Sequence, residues 1–186
     1  MRPLNLVGLA LLLLTLQNTT LASTQPDPLN DSGKRTATTT LPAKTRNAWS
    51  LPPFSLQGLD GKQHSLSEWK GQVIMLNFWA SWCAPCQYEI RDFVRYQEQY
   101  ATKGLQIIGL GIDEERKLQN ASRSLSVNYP VLIADPANSD ALLTEWGNPQ
   151  RIVPYTVIID RNGEITYIHR GQLDQETFNE FVLPLI

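Results

Sequence analysis

The chain has 186 residues, 42% of them hydrophobic, and its 16 basic and 18 acidic residues give a formal net charge of −2. This nearly even balance, without a basic cluster, argues against a nucleic-acid-binding protein. Only two cysteines are present, which excludes a network of several structural disulfides.

The first 22 residues are typical of an export signal. Residues 1–2 supply a positive start, residues 4–16 are apolar and rich in leucine, and residues 20–22 offer a small-residue cleavage site. The apolar stretch is shorter than the ~20 residues that a spanning helix needs, so we expect a signal peptide, with an uncleaved signal anchor as the alternative. Export would place the cysteines in an oxidising compartment.

Residues 23–48 are predicted to form a disordered linker. They are rich in Thr, Pro, Asn, Asp and Lys and contain hardly any large apolar side chain. Such a segment cannot bury enough surface to offset the entropy of ordering it. The remaining residues, 49–186, are of a suitable length for a single folded domain.

The domain begins with a predicted hairpin and a buried strand. Residues 54–56 and 63–66 are expected to pair around Asp60-Gly61. Residues 73–79 are almost wholly apolar, which favours a central strand buried on both faces.

The two cysteines follow that strand directly, as Cys83-Ala-Pro-Cys86. A Cys-x-x-Cys at a strand-to-helix junction is typical of a redox site. A structural disulfide is a weaker interpretation, because closing so small a ring constrains the unfolded chain very little. Zinc as a rule needs four ligands, and only His64 and His169 remain as favoured ones. Covalent haem attachment needs a histidine at position 87, where this chain has Gln87.

The helix predicted after the pair assigns a role to each sulfur. If it begins near Ala84, Cys83 lies at its N-terminus, where unpaired N–H groups and the helix dipole favour a thiolate. Cys83 is therefore expected to be exposed and to attack first, while Pro85 is tolerated in the first turn. Cys86 continues an inward apolar stripe and is expected to resolve the mixed disulfide.

The rest of the chain alternates between strand and helix patterns. The predicted order is helix 84–101, strand 105–112, helix 114–126, strand 131–134, helix 140–146, a hairpin of residues 156–159 and 165–170, and a last helix capped by Asp174. This order predicts a mixed sheet covered by helices on both sides.

Three separated motifs resemble one family. They are residues 77–86 (Asn-Phe-Trp-Ala-Ser-Trp-Cys-Ala-Pro-Cys), the lead-in over residues 58–71, and residues 153–163 (Val-Pro-Tyr-Thr-Val-Ile-Ile-Asp-Arg-Asn-Gly). Together they resemble the extracytoplasmic TlpA/ResA/DsbE-like thiol:disulfide oxidoreductases. The resemblance implies a thioredoxin-like α/β fold: a central mixed β-sheet flanked by helices on both faces, with an N-terminal β-hairpin extension.

The resemblance also implies further site residues. Pro154 would be a cis-proline facing the cysteines, and the backbone of Val153 would pair with an extended substrate; otherwise Pro154 is an ordinary loop proline. Glu89 would exchange protons with Cys86 as a general acid/base, although a lone helix glutamate is usually a solvated charge. Trp82 and Pro85 are expected to line the substrate surface.

Two departures from the pattern bear on the site. Asn77 occupies the position of the buried aspartate of thioredoxins, and we expect it to be hydrogen-bonded. Tyr155 follows the proline where relatives often carry a smaller residue, which leaves the shape of the substrate groove open.

The function implied by the resemblance is reduction of protein disulfides in the periplasm, with the cysteine pair itself as the redox centre and no other cofactor. A membrane electron donor of the DsbD or CcdA type would recharge it, and apocytochrome c thiols are one implied substrate class. A thiol peroxidase is an alternative, although Ala80 stands where peroxidases carry Thr or Ser. A Cu(I)-binding chaperone is another, since soft thiolates suit Cu(I), although no Met-rich or His-rich segment is present.

Overall fold

A computed structural model describes residues 51–137 and 139–186 of the chain. The predicted export signal, the predicted linker and residues 49–50 of the predicted domain lie outside the described residues. Within them, no helix combines the length and apolar character that crossing a membrane requires.

The described elements follow the predicted order. They are β1 (Ser55–Gln57), β2 (Gln63–Ser65), β3 (Val73–Trp79), α1 (Ala84–Tyr100), β4 (Leu105–Gly111), α2 (Glu115–Ser124), β5 (Val131–Ile133), α3 (Ser139–Glu145), β6 (Tyr155–Ile159), β7 (Ile165–Arg170) and α4 (Gln175–Phe181). The helix predicted to reach residue 126 stops at Ser124, because Ser126 has a φ of 55°, in the left-handed region that ends a right-handed helix.

Five strands form the main sheet in the order β5-β4-β3-β6-β7. β3 and β4 are parallel, as are β4 and β5, whereas β6 runs antiparallel to both β3 and β7. Every residue of β3 is buried, which confirms the predicted central strand. The sheet is therefore mixed, as the alternation of elements predicted.

The hairpin of β1 and β2 forms a second, two-stranded sheet. Gly58 bridges to Leu132 of β5, and the backbone N–H of Leu59 donates a 2.9 Å hydrogen bond to the carbonyl of Val131. These bonds attach the predicted hairpin extension to the edge of the main sheet.

Hydrophobic side chains fill both faces of the main sheet. One cluster joins the sheet to α1 and α4 and includes Ile90, Phe93 and Phe178. The other includes Trp69, Trp146 of the segment after α3, and Tyr155. Trp69, Trp79 and Trp146 are all buried in these clusters, and the sheet is covered on both sides.

Candidate active site

The two cysteines lie where the central strand gives way to α1. Their sulfurs form a disulfide with an S–S distance of 2.07 Å and a Cα–Cα distance of 5.3 Å. Cys83 is the N-cap of α1, and its sulfur accepts a 3.3 Å hydrogen bond from the backbone N–H of Cys86. The predicted placement of Cys83 at the helix N-terminus is confirmed, so the helix dipole favours the thiolate that forms on reduction.

The prediction that Cys83 is exposed is wrong for the oxidised pair. Cys83 is 4% exposed and Cys86 is 0% exposed. Cys86 lies on the inward side of α1, and its bond to Cys83 holds that residue against the core cluster that includes Trp79 and Ala80. Because Cys83 keeps the only accessible surface of the two, an incoming thiolate reaches it first.

Glu89 is fully buried, which rules out the solvated-charge interpretation. Its Oε1 accepts a 2.7 Å hydrogen bond from Nδ2 of Asn77, and its Oε2 accepts a 2.8 Å hydrogen bond from the backbone N–H of Leu173. Burial raises the pKa of Glu89 to about 8, against the opposing effect of these two bonds. A carboxyl group with this pKa can both hold and release a proton near neutral pH.

Asn77 fixes the position of that carboxyl group. Besides Glu89, its Nδ2 contacts Oγ1 of Thr156 at 3.0 Å, which confirms the expected hydrogen bonding. Its Oδ1 has no partner among the described residues. The side chain therefore links β3 to α1 and β6.

The loop before β6 carries the predicted proline. The Val153–Pro154 peptide bond is cis, as the resemblance implied. Val153 packs against the cluster that includes both cysteines. Neither its backbone N–H nor its carbonyl takes part in the hydrogen bonds among the described residues, so both remain open to a ligand.

Tyr155 has no part in the surface of the groove. It is 0% exposed, its ring lies 5.6 Å from that of Phe78, and its hydroxyl donates a 2.8 Å hydrogen bond to the carbonyl of Trp146. The larger residue after the proline is therefore accommodated in the core.

Exposed apolar side chains lie next to the two cysteines in the chain. Trp82 is 71% exposed and Pro85 is also exposed, and their place on a substrate surface stays a prediction. Tyr88, two residues after Cys86, is also 60% exposed.

Asp113 supports the turn that carries Cys83. The hydroxyl of Ser81 donates a short hydrogen bond to its carboxylate, and Nε2 of Gln87 donates to the Ser81 carbonyl at 2.7 Å. Burial opposes ionisation of Asp113, but the bonds from Ser81 and from the backbone of Glu114 outweigh it, so its pKa lies below the usual value.

The two histidines make structural contacts. The ring of His64 lies within hydrogen-bond distance of Asp60 and Glu68, and that of His169 bonds the carbonyl of Gln172 at 3.0 Å. Across residues 51–137 and 139–186, no three His, Cys, Asp or Glu side chains are grouped so that they could hold a metal ion.

Comparison with known proteins agrees with this geometry. The family model described as Redoxin matches residues 46–182. The thiol-disulfide oxidoreductase ResA of Geobacillus thermodenitrificans is 27% identical over 132 residues, 70% of this chain and 73% of that protein. The thioredoxin-like protein YneN of Bacillus subtilis is 31% identical over 134 residues, 69% and 74% of the two chains. The crystal structure described as a thiol:disulfide interchange protein DsbE from Chlorobium tepidum superposes with a TM-score of 0.62 at 27% identity, covering 70% of this chain and 89% of that one.

Proposed function

The chain belongs to the Redoxin family and is a thiol:disulfide oxidoreductase similar to ResA, and from this premise we propose that it reduces disulfides in other proteins. The observation that carries the proposal is the buried Glu89, which lies one helical turn after Cys86 and has a pKa of about 8. Reduction by a dithiol requires the second thiol to lose its proton at the moment of attack, and this carboxylate is placed to accept it.

The first step is attack by Cys83. Its thiolate, favoured at the N-terminus of α1, forms a bond to one sulfur of a substrate disulfide RS–SR′. The S–S bond of the substrate breaks, and R′S⁻ leaves and takes a proton from water. Substrate RS now remains joined to Cys83 as a mixed disulfide.

The second step is attack by Cys86. The Glu89 carboxylate accepts the proton of the Cys86 thiol, and the resulting thiolate attacks the sulfur of Cys83. The intramolecular disulfide forms, the mixed disulfide breaks, and RS⁻ leaves with the proton returned from Glu89. Two electrons have then passed from the cysteine pair to the substrate.

The substrate is proposed to dock as an extended peptide on the open backbone groups of Val153, next to the cis Pro154. Trp82 and Pro85 would supply apolar contact to the residues that flank its disulfide. Apocytochrome c is the substrate class that the resemblance to ResA favours.

A reductase must be recharged, and we place this protein where a membrane donor of the DsbD or CcdA type could reach it. The apolar residues 4–16 support export to the periplasm, with anchoring to the inner membrane if the segment is not cleaved.

Trapping in cells with Cys86→Ser should capture substrates as mixed disulfides on Cys83. Recovery of none would count heavily against this assignment.

The reduction potential of the Cys83–Cys86 pair tests the direction of electron flow. The pair is equilibrated in thiol redox buffers and followed by tryptophan fluorescence, for which Trp82 is suitably close. We expect a value at or below roughly −250 mV, in the range of reductants. A value near about −120 mV would make the protein an oxidant of dithiols and would overturn the proposed direction.

A further inference from the structure

We propose that Asn148 is a positioning residue for peptide substrates: its side-chain amide occupies both backbone polar groups of Ile152 and thereby leaves those of Val153 as the docking groups. The inference rests on the proposed function, since it concerns how the same site receives its substrate.

The contact between Asn148 and Ile152 is reciprocal. Nδ2 of Asn148 donates a 2.8 Å hydrogen bond to the carbonyl of Ile152, and the backbone N–H of Ile152 donates a 2.9 Å hydrogen bond to Oδ1 of Asn148. The exchange of one donor and one acceptor repeats the pairing of two residues on adjacent antiparallel strands. It also defines the orientation of the amide, because only the oxygen can accept from a backbone N–H.

Asn148 is itself held firmly. It is 1% exposed, and its backbone N–H donates a 2.8 Å hydrogen bond to the carbonyl of Leu143 in α3. The preceding turn is secured by the bond from the Tyr155 hydroxyl to the carbonyl of Trp146. The amide that holds Ile152 is therefore anchored to the core.

The loop closed by this pair contains an unfavourable conformation. Arg151 has a φ of 54°, in the left-handed region that residues other than glycine seldom adopt. Its backbone N–H donates to the carbonyl of Asn148 at 3.1 Å, and its guanidinium contacts the carboxylate of Asp140 in α3. Since both charged groups are more than half exposed, the ion pair adds little, and the buried amide remains as the main restraint on the loop.

The Asn148 amide determines which backbone polar groups of residues 152–154 stay open to a ligand. Both groups of Ile152 are taken by Asn148, while Pro154 has no N–H and its carbonyl accepts a 2.9 Å hydrogen bond from Gly171. In the segment from 152 to 154, only the N–H and carbonyl of Val153 lack a partner among the described residues. An extended peptide can thus form a two-bond bridge at this one residue, in a single register.

The inferred ligand is therefore the peptide backbone beside a disulfide. Substrates with and without such a backbone should respond differently to loss of the Asn148 amide. A small aromatic disulfide such as dithiobis-nitrobenzoate has no backbone to pair and depends on the cysteines alone. Loss of the Asn148 amide should weaken the reaction with a peptide disulfide but leave the reaction with dithiobis-nitrobenzoate unchanged.

The test compares the reduced full-length protein with its Asn148→Ala variant on both substrates. We expect KM for a peptide with an intramolecular disulfide to rise at least about fivefold, with kcat and the dithiobis-nitrobenzoate rate within about twofold of the unaltered protein. Asn128→Ala is the matched control, because it also removes a hydrogen bond from an asparagine side chain to a backbone carbonyl, that of Val94, but not the pairing with Ile152. It should leave the peptide KM unchanged.

An unchanged peptide KM in Asn148→Ala, or an equal loss on both substrates, would overturn the inference.

If Asn148→Ala does not fold, amide hydrogen exchange in the Cys86→Ser variant decides instead. The Ile152 amide should be protected with or without a trapped peptide, whereas the Val153 amide should gain protection only on trapping. Protection of Ile152 that appears only with the peptide would contradict the inference. If the unaltered protein reduces no peptide disulfide, the proposed function itself is wrong, while the exchange of Ile152 still tests the pairing.

Discussion

Asn77 donates a 2.7 Å hydrogen bond to Glu89, and both side chains are completely buried. The bond stabilises the charged form of a carboxyl group whose burial favours the neutral form. Burial outweighs this bond and the larger opposing effect of the bond from the backbone N–H of Leu173, so Glu89 has a pKa of about 8 one helical turn from the resolving cysteine. Several of the measurable properties of the protein should depend on this pair.

Replacing Glu89 with Gln should slow resolution of the mixed disulfide by about 10²-fold near pH 8, since general acid–base groups contribute at least this much. The rate at which a peptide thiol is released is measured by stopped flow from pH 6 to 10. The pH–rate profile of the variant should lack the inflection near pH 8 that the unaltered protein shows. Glu98→Gln, an exposed change on the same helix, should retain the profile. A profile unaltered in Glu89→Gln would show that another group accepts the proton.

The stability of the oxidised protein should fall as the pH rises through the titration of Glu89. Its pKa is raised in the folded state, so the stabilising effect of the bound proton is fully present below the ordinary carboxyl pKa of 4.5 and is lost as pH rises toward about 8. Within this window the contribution of Glu89 changes by at most ~1.4 kcal/mol per pH unit.

Urea unfolding at several pH values between 5 and 8 measures this effect. The difference in unfolding free energy between the unaltered protein and Glu89→Gln isolates it from His64, whose pKa is also raised, chiefly by its hydrogen bond to Glu68. A difference that stays constant across the window would mean that Glu89 does not titrate there.

Replacing Asn77 with Leu should raise the pKa of Glu89 further. The variant replaces the amide with an apolar side chain of similar size and so removes the donor to the carboxylate. Leaving a buried group short of a partner costs about 1–3 kcal/mol. The inflection of the pH–rate profile should move to higher pH. In Thr156→Val, where the bond from Asn77 to Glu89 remains, the inflection should stay in place; a shift of equal size in both variants would speak against the assignment.

Replacing Ser81 with Ala should loosen the turn that carries Cys83. The lost hydrogen bond to the buried Asp113 should lower the free energy of unfolding of the oxidised protein by about 1 kcal/mol or more. Urea midpoints measure the change, and Ser124→Ala, an exposed serine at the end of α2, is the matched control. Equal midpoints for the two variants would show that the Ser81–Asp113 bond does not support the turn.

Local patterns in the sequence predicted most of the fold. The apolar run of β3 and the turn residues Asp60-Gly61 are local signals, and the strand and the hairpin were found where those patterns lie. The spacing of Cys83 and Cys86 identified the redox pair for the same reason, since one helical turn brings the two sulfurs together.

Other features were left open, missed or wrongly predicted because they depend on contacts between distant parts of the chain. The sequence left Glu89 between a proton-exchanging and a solvated carboxyl group, and its buried carboxylate accepts a bond from Leu173, 84 residues away. The role of Asp113 depends on Ser81, 32 residues away. Cys83 was expected to be exposed, but the core beneath α1 encloses the oxidised pair.

The sequence by itself thus determined the elements and the chemistry of the two sulfurs, because hydrophobic periodicity and residue spacing act over a few residues. Only the tertiary structure decided the environment of that chemistry: the proton-accepting state of Glu89 and the open backbone of Val153. Burial and hydrogen-bond pairing are properties of the packed chain, and they appear only when segments far apart in sequence close around the same site.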